Sequence, residues 1–447
     1  MATALRSDPS FDWRLQLGVR LVSPEDAVAH IKSGDRVSMS LSAATPFTLC
    51  TALAARLMEL DDIVINHTAA LFNWDLPGLG ERFRVNSSFV TPVDRPLLAR
   101  GAVDFVPVQY YREGHLPHDL EGYNVFMVTV SRPDERGYVN FGPLQIMSKM
   151  LARKAALVIA EIDTKWIRVS GDNSLHISEI DWFVERPKPL EPGTSIVPPT
   201  SPEEQQNIKT VSEILARELI PDRVSLQVGV GSMSGAIMPA LRNHHDLGIQ
   251  TEIVPAGTAT LMREGVITGK YKKIFPELVV GSGMVLLTED ELRYVDGNPA
   301  FQLYDFNTTD DVRLIAREEG LFAINNALAV DLTGQANSES LGSQMYTGSG
   351  GQLAFMVGAC LGGGTTILVT PSTSMVQGQR RSRIVPALLE GGVVTTPRGC
   401  VHHVVTEYGV ATLKGKSIRE RAHELIAVAH PDFRGELRSE AKRLYSV

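Results

Sequence analysis

The sequence predicts an α/β protein made of two related halves, each an open, mostly parallel sheet covered by helices. Three observations carry this. Apolar strand-like runs alternate with helical runs along most of the chain. One of those runs, Lys154–Ile162, is apolar on both faces, as strands of a covered parallel sheet are. A helix, the tetrad Asp35-Arg36-Val37-Ser38, a strand, a small-residue loop and a helix recur later around Asp222-Arg223-Val224-Ser225.

In chain order, Ser23-Pro24 opens a capped helix over 23–33. Ser23 is its N-cap, acids fill the first turn, and Val28 and Ile31 fall on one face. The next stretch, SGDRVSMSLSAAT, reads as turn, strand and small-residue loop. PFTLCTALAARLMEL resumes helical periodicity through Leu49, Leu53 and Leu57. DDIVINHT, VDFVPV and YNVFMVTVS are strands of β-branched and aromatic type. The proline-dense stretch 186–202 is the best linker. It divides an N-terminal domain over 1–190 from a C-terminal domain over 204–447, with the linker at 191–203. Duplicated halves usually pack with the ligand between them.

Composition narrows the function. A charge of −8 argues against nucleic acid as a partner. Three cysteines, Cys50, Cys360 and Cys400, are widely spaced with no CxxC, which suits a reducing compartment. The first residues contain no apolar signal core, and no uncharged apolar run reaches membrane-spanning length. The expectation is a cytoplasmic protein without a membrane partner.

Four motifs carry candidate chemistry. Gly229-Val230-Gly231 follows a strand and precedes a helix, so its backbone could approach a phosphate or simply make a tight turn. Pro239 makes the following helix start late or kink. Glu252, in LGIQTEIVP, is a lone carboxylate in an uncharged strand and is costly there without a role. It reads as a hydrogen-bonded structural residue, a ribose ligand about 20 residues after the glycine turn, or a carboxylate nucleophile. Gly348-Ser349-Gly350-Gly351 opens the helix QLAFMVGAC and offers N–H groups to an oxyanion or phosphate, or simply needs positive φ. Cys400, His402, His403 and Glu407 suggest zinc, but no second cluster completes a ligand set, so a core histidine between strands is expected and no metal. His244-His245 reads as a solvated helix end. Lys272-Lys273 and Arg380-Arg381-Ser382-Arg383 read as exposed charges that phosphates could meet.

The chain resembles the class I CoA-transferases, in particular the acetyl-CoA hydrolase/transferase and 4-hydroxybutyrate CoA-transferase group. The resemblance rests on LGIQTEIV, EGVITG, INNALAVDLTGQANSESLG, YTGSGGQLAF, GGTTILVTPST, VTTPRG and VVTEYGVATLKGKSIRERA. It is looser in the first half, through SPEDAVAHIKSGDRV and RVNSSFVTPVDRPLLARGAVDFVPV. It implies two α/β domains with the active site between them, and coenzyme A as substrate with no metal. Glu252 is the implied nucleophile, passing through an acyl-glutamyl anhydride to a glutamyl-CoA thioester. Gly350 and Gly351 are the expected oxyanion donors. Asn325 is expected to orient Glu252 or hold CoA. Gln227, Val228, Gly229, Val230, Gly231, Ala327 and Gly348 are expected to line the CoA. Ser234 stands where many relatives have proline, and the first-half loop SLSAATP has fewer glycines than usual, which leaves the acid open. The implied reaction moves CoA between a short-chain acyl-CoA, such as acetyl- or succinyl-CoA, and a small acid like 4-hydroxybutyrate, butyrate or itaconate. A homo-oligomer is also implied. The alternatives are acyl-CoA hydrolysis on the same fold and, from the glycine turn with its distant acid, a nicotinamide-dependent oxidoreductase.

Overall fold

The computed structural model describes residues 11–69, 71–108, 122–188, 201–231, 233–284, 288–376 and 378–447. The chain forms two compact units. One holds residues up to 196 together with 281–308, and the other holds 197–280 and 309–447. The units are therefore not contiguous in sequence, whereas the sequence reading placed all of 204–447 in one domain. The expected linker at 191–203 lies, up to residue 200, outside the described residues.

The first unit is built on a seven-stranded sheet. Its strands are β1 (Arg36–Met39), β2 (Ile63–His67), β3 (Phe83–Ser87), β4 (Asp104–Phe105), β5 (Val125–Ser131), β6 (Leu157–Asp163) and β7 (Trp182–Glu185). Their order is β7-β6-β5-β1-β2-β3-β4 and every pairing is parallel. The chain winds outward from β1 in one direction through β4, then restarts at β5 on the other side of β1. That reversal is a topological switch point, where open α/β sheets bind ligands. Helices α1 (Pro24–Val28) and α2 (Phe47–Arg56) belong to this unit. Leu49, Leu53 and Leu57 are buried with Val37, Ile63, Ile65 and Phe83 in one core, as their spacing predicts. The predicted helix from Ser23 starts as expected, with the Ser23 hydroxyl accepting from the Asp26 N–H, but stops at Val28. The Arg56 guanidinium takes the carbonyls of Val28 and Ile31, which a continued helix would need.

The second unit carries a six-stranded sheet with β8 (Ser225–Val228), β9 (Gly248–Ile249), β10 (Phe322–Asn326), β11 (Thr365–Val369), β12 (His403–Thr406) and β13 (Gly409–Thr412). The order is β9-β8-β10-β11-β12-β13, parallel except for the final hairpin β12–β13. Here β8 is the first strand and its neighbours β9 and β10 lie on opposite sides, so the switch point falls between β8 and β10. Helix α3 (Pro202–Glu218), capped by the Ser201 hydroxyl, buries Ile208, Val211 and Leu215. Among the described residues, no helix is long and apolar enough to cross a membrane.

Candidate active site

The loops at the second switch point are held by amides. Gln227, at the end of β8, and Asn325, on β10, exchange two buried side-chain hydrogen bonds of 3.1 and 2.8 Å. The neighbouring Asn326 amide donates to the carbonyl of Val230 at 3.1 Å. The glycines of this loop make room for the two asparagine amides. A Cβ on Gly229 would lie 2.5 Å from Asn325 Oδ1, and one on Gly231 2.6 Å from Asn326 Nδ2. Val228 and Ala327 are buried beside this loop, while Val230 is exposed. The Ala327 carbonyl accepts from Arg383 at 3.2 Å.

Glu252 lies just past β9. The alternation of Ile249, Thr251 and Ile253 predicts a continuous strand, and the backbone is paired on both sides as far as Thr251 before the strand breaks. Gln250 N–H still donates to Leu226 O, and Thr251 N–H donates to Val280 O. Glu252 falls on the bend that follows, so its side chain leaves the sheet at the C-terminal end of a parallel strand, where open α/β sheets place ligand groups. Lys272 anchors this edge. Its ammonium donates to the carbonyls of Ile249 and Leu278, both at 2.7 Å.

The partner of Glu252 is the glycine turn almost a hundred residues later. Gly350 has φ of +53°, the left-handed conformation that favours glycine. Gly351 caps helix α4 (Gln352–Leu361), and its N–H donates to Glu252 Oε2 at 2.9 Å. An anion at a helix N-terminus is stabilised by unpaired N–H groups and by the helix dipole. Burial works against it and pushes the Glu252 carboxyl up to about 7, with the Gly351 N–H pulling in the other direction. Gly351 admits no side chain, since a Cβ there would meet Asp310 Oδ2 at 2.3 Å and Glu252 Oε2 at 2.7 Å. Asp310 is fully buried, and its other oxygen accepts from the Thr309 hydroxyl at 2.8 Å. Gly348 is buried earlier in the same turn.

The structure thus brings Glu252 together with Gly351, and Gln227 and Asn325 with Gly229 and Gly231. It corrects two surface readings. Lys272 is buried, and burial pushes its ammonium down to about 7 against the pull of Glu318. Arg380 and Arg381 are exposed, but Arg383 turns inward to Ala327. His244 is half-buried, with Nε2 3.0 Å from the Ile220 carbonyl, while His245 is exposed. His402 is buried, with Nδ1 accepting from the Thr366 N–H. Among the described residues, no group of three or more His, Cys, Asp and Glu is placed to hold a metal. Asp310 went unnoticed in the sequence. It precedes Asp311, which is the N-cap of the helix Val312–Arg317, so the pair reads as a capping signal.

Two family models match this chain: the acetyl-CoA hydrolase/transferase N-terminal domain over residues 11–195 and the C-terminal domain over 288–441. The chain is 35% identical to the 4-hydroxybutyrate coenzyme A transferase of Clostridium kluyveri, covering 97% of this chain and 100% of that protein. It is 34% identical to the succinyl-CoA:cyclohexane-1-carboxylate CoA transferase of Geobacter metallireducens, covering 96% of each. Among solved structures it is similar to RipA from Yersinia pestis, with a TM-score of 0.88 and 35% identity, covering 98% of this chain and 100% of RipA.

Proposed function

This chain belongs to the acetyl-CoA hydrolase/transferase family and is a CoA-transferase; we propose that it moves CoA between a short-chain acyl-CoA and a small carboxylic acid by a ping-pong route through Glu252. The observation that carries the reading is the Glu252 carboxylate, set at a strand end and held by the Gly351 N–H at the start of α4. Membership of this family sets aside the nicotinamide-dependent alternative for the glycine turn.

Glu252 attacks the thioester carbonyl through a carboxylate oxygen. The C–S bond breaks, CoA leaves as thiolate, and an acyl-glutamyl anhydride remains. The thiolate then attacks the glutamyl carbonyl, the donor acid leaves as a carboxylate, and glutamyl-CoA thioester forms. An acceptor carboxylate reverses both steps. One negative charge passes from group to group, so no proton has to move. Partial burial favours this, because a carboxylate that sheds part of its water shell is a stronger nucleophile. The Gly351 N–H has a second use. When the glutamyl carbon is attacked, Oε2 becomes the oxyanion, and the N–H is already aimed at it. Losing one such donor typically costs ~10²–10³ in rate.

Gln227, Gly229, Val230, Gly231, Asn325 and Ala327 are proposed to line the CoA. Their support is that their backbone and amides surround the switch point, where sheets of this kind bind ligands. The proposed acids are of the 4-hydroxybutyrate, butyrate or itaconate type, with acetyl- or succinyl-CoA as donor. The Clostridium kluyveri relative is a 4-hydroxybutyrate transferase, and the Geobacter metallireducens relative uses succinyl-CoA with cyclohexane-1-carboxylate. The proposal includes a cytoplasmic homo-oligomer, with the two halves of the sequence as its functional domains. Initial rates at several concentrations of both substrates test the mechanism. Parallel double-reciprocal lines, with product formed only when acceptor acid is present, are expected. Intersecting lines, or full turnover without acceptor, contradict it.

A further inference from the structure

Two of the three cysteines, far apart in the sequence, meet at the far end of α4. Cys360 lies in the last turn of that helix, and Cys400 ends the short helical turn Arg398–Cys400. The Cys360 Sγ lies 4.0 Å from the Cys400 carbonyl and 3.6 Å from His402 Nε2. His402 Nδ1 accepts from the Thr366 N–H, so the neutral ring carries its proton on Nε2, facing the Cys360 sulfur. Burial keeps that ring neutral, pushing it down to about 4. The Cys360 thiol in turn donates to Cys400. This hydrogen bond draws Cys400 down to about 7 against the opposing effect of burial, and it pushes the Cys360 thiol up. Both cysteines are half-buried, and Pro397, Arg398 and Gly399 beside Cys400 are exposed, so a small oxidant has access. Cys50 is the contrast: it is fully buried, and burial pushes its thiol well up. An ionising thiol beside a protonated one is the arrangement of an attacking and a resolving cysteine.

We propose that Cys360 and Cys400 are a peroxide-responsive dithiol, which closes to a disulfide that ties α4 to the 396–402 segment and slows CoA transfer. The Cys400 thiolate attacks one oxygen of hydrogen peroxide. The O–O bond breaks, hydroxide leaves and takes up a proton as water, and Cys400 becomes a sulfenic acid. The Cys360 sulfur then attacks the Cys400 sulfur and gives up its proton as the S–O bond breaks, and a second water leaves. The pair loses two electrons and two protons, and the peroxide is reduced to two waters. The same segment also touches the near end of α4, where the Gln352 amide donates to Thr396 Oγ1 at 3.1 Å. Gln352 follows Gly351, whose N–H holds Glu252. A sulfur pair drawn into a bond at one end of this helix therefore pulls on the donor at the other. The slowing rests on the glutamyl mechanism above; the disulfide does not.

The test treats the full-length enzyme with hydrogen peroxide, then counts free thiols after denaturation and maps peptides without reductant. Free thiols are expected to fall from three to one, with Cys50 the one left and Cys360 joined to Cys400 within a single chain. The kcat of the treated enzyme should fall about tenfold, less than the ~10²-fold expected of a full 1 Å displacement, and dithiothreitol should restore it. Cys360→Ser should stop at the sulfenic acid on Cys400, which dimedone traps. Cys400→Ser should form no disulfide and keep its kcat through the same treatment. No Cys360–Cys400 disulfide, or one that involves Cys50 or joins two chains, overturns the proposal. So does a disulfide that leaves kcat unchanged, or an equal loss of kcat in Cys400→Ser. If the untreated enzyme forms no Glu252 adduct with acyl-CoA, the glutamyl mechanism fails and takes the predicted slowing with it, while the disulfide is judged by the peptide map. An adduct without the disulfide sinks this inference alone.

Discussion

The loops after β1 and β8 occupy the same place in their sheets. Each follows the first strand and sits at the point where the winding reverses. Their chemistry differs. After β1 the loop is held by its own hydroxyl and by neighbouring backbone: the Ser40 hydroxyl donates to the Ala44 carbonyl at 2.6 Å and accepts from the Thr129 N–H at 3.1 Å, and the Ser42 N–H donates to Ala69 O at 2.9 Å. After β8 the loop has glycines where side chains would collide with Asn325 and Asn326. It leans on those amides instead of on its own hydroxyls. The lesson is that winding alone creates the opportunity for a site at both points, and local composition decides what each is built to do. In the second unit, the strand end beside β8 also delivers Glu252 to a helix N-terminus.

Substitutions can break this contrast. Glu252→Ala removes the proposed nucleophile and should lower kcat by ~10³ or more, read in a standard transfer assay. Glu252→Asp should also fail, because the shorter side chain draws the oxygen back from Gly351. Gly351→Ala comes next. Its methyl must displace Glu252 or Asp310, and misplacing a reacting group by about 1 Å costs ~10²-fold in kcat. Fold should survive, which circular dichroism would show. Asn325→Ala strands the buried Gln227 amide and unprops the glycine loop. A loss of ~1–3 kcal/mol in denaturant unfolding is expected, together with a rise in KM for acyl-CoA that exceeds the fall in kcat. The smallest effect belongs to the first unit. Ser40→Ala should cost ~1–2 kcal/mol of stability by orphaning the Thr129 N–H, while the enzyme still forms its Glu252 adduct.

Much of this was legible in the sequence. The sheets follow from strands alternating with helices, and the repeated Asp-Arg-Val-Ser tetrad marks the first strand of each. Even so, β1 begins at Arg36 whereas β8 begins only at Ser225, because Arg223 takes positive φ in the preceding turn. Glu252 stood out because a lone carboxylate in an apolar segment is expensive without a purpose. Its contact with Gly351 was not legible, since no local pattern links residues 99 positions apart. The bend at Glu252 was hidden because the alternation of side chains runs straight through it, from Ile249 to Ile253. Lys272 looked like surface because Lys273 and Tyr271 flank it and are exposed. The carbonyls of Ile249 and Leu278, brought together by the fold, explain why an ammonium lies inside. Gln227 and Asn325 were each visible as candidates, but their mutual pairing depends on the register of β8 against β10, which tertiary structure alone supplies.

The most direct measurement is the intact mass of the enzyme after incubation with acyl-CoA and no acceptor acid, followed by peptide mapping. The account predicts a covalent CoA adduct on Glu252, lost in Glu252→Ala and discharged by adding acceptor acid. An enzyme that turns over acyl-CoA and acceptor at full rate with no adduct, or with the adduct on another residue, would contradict it.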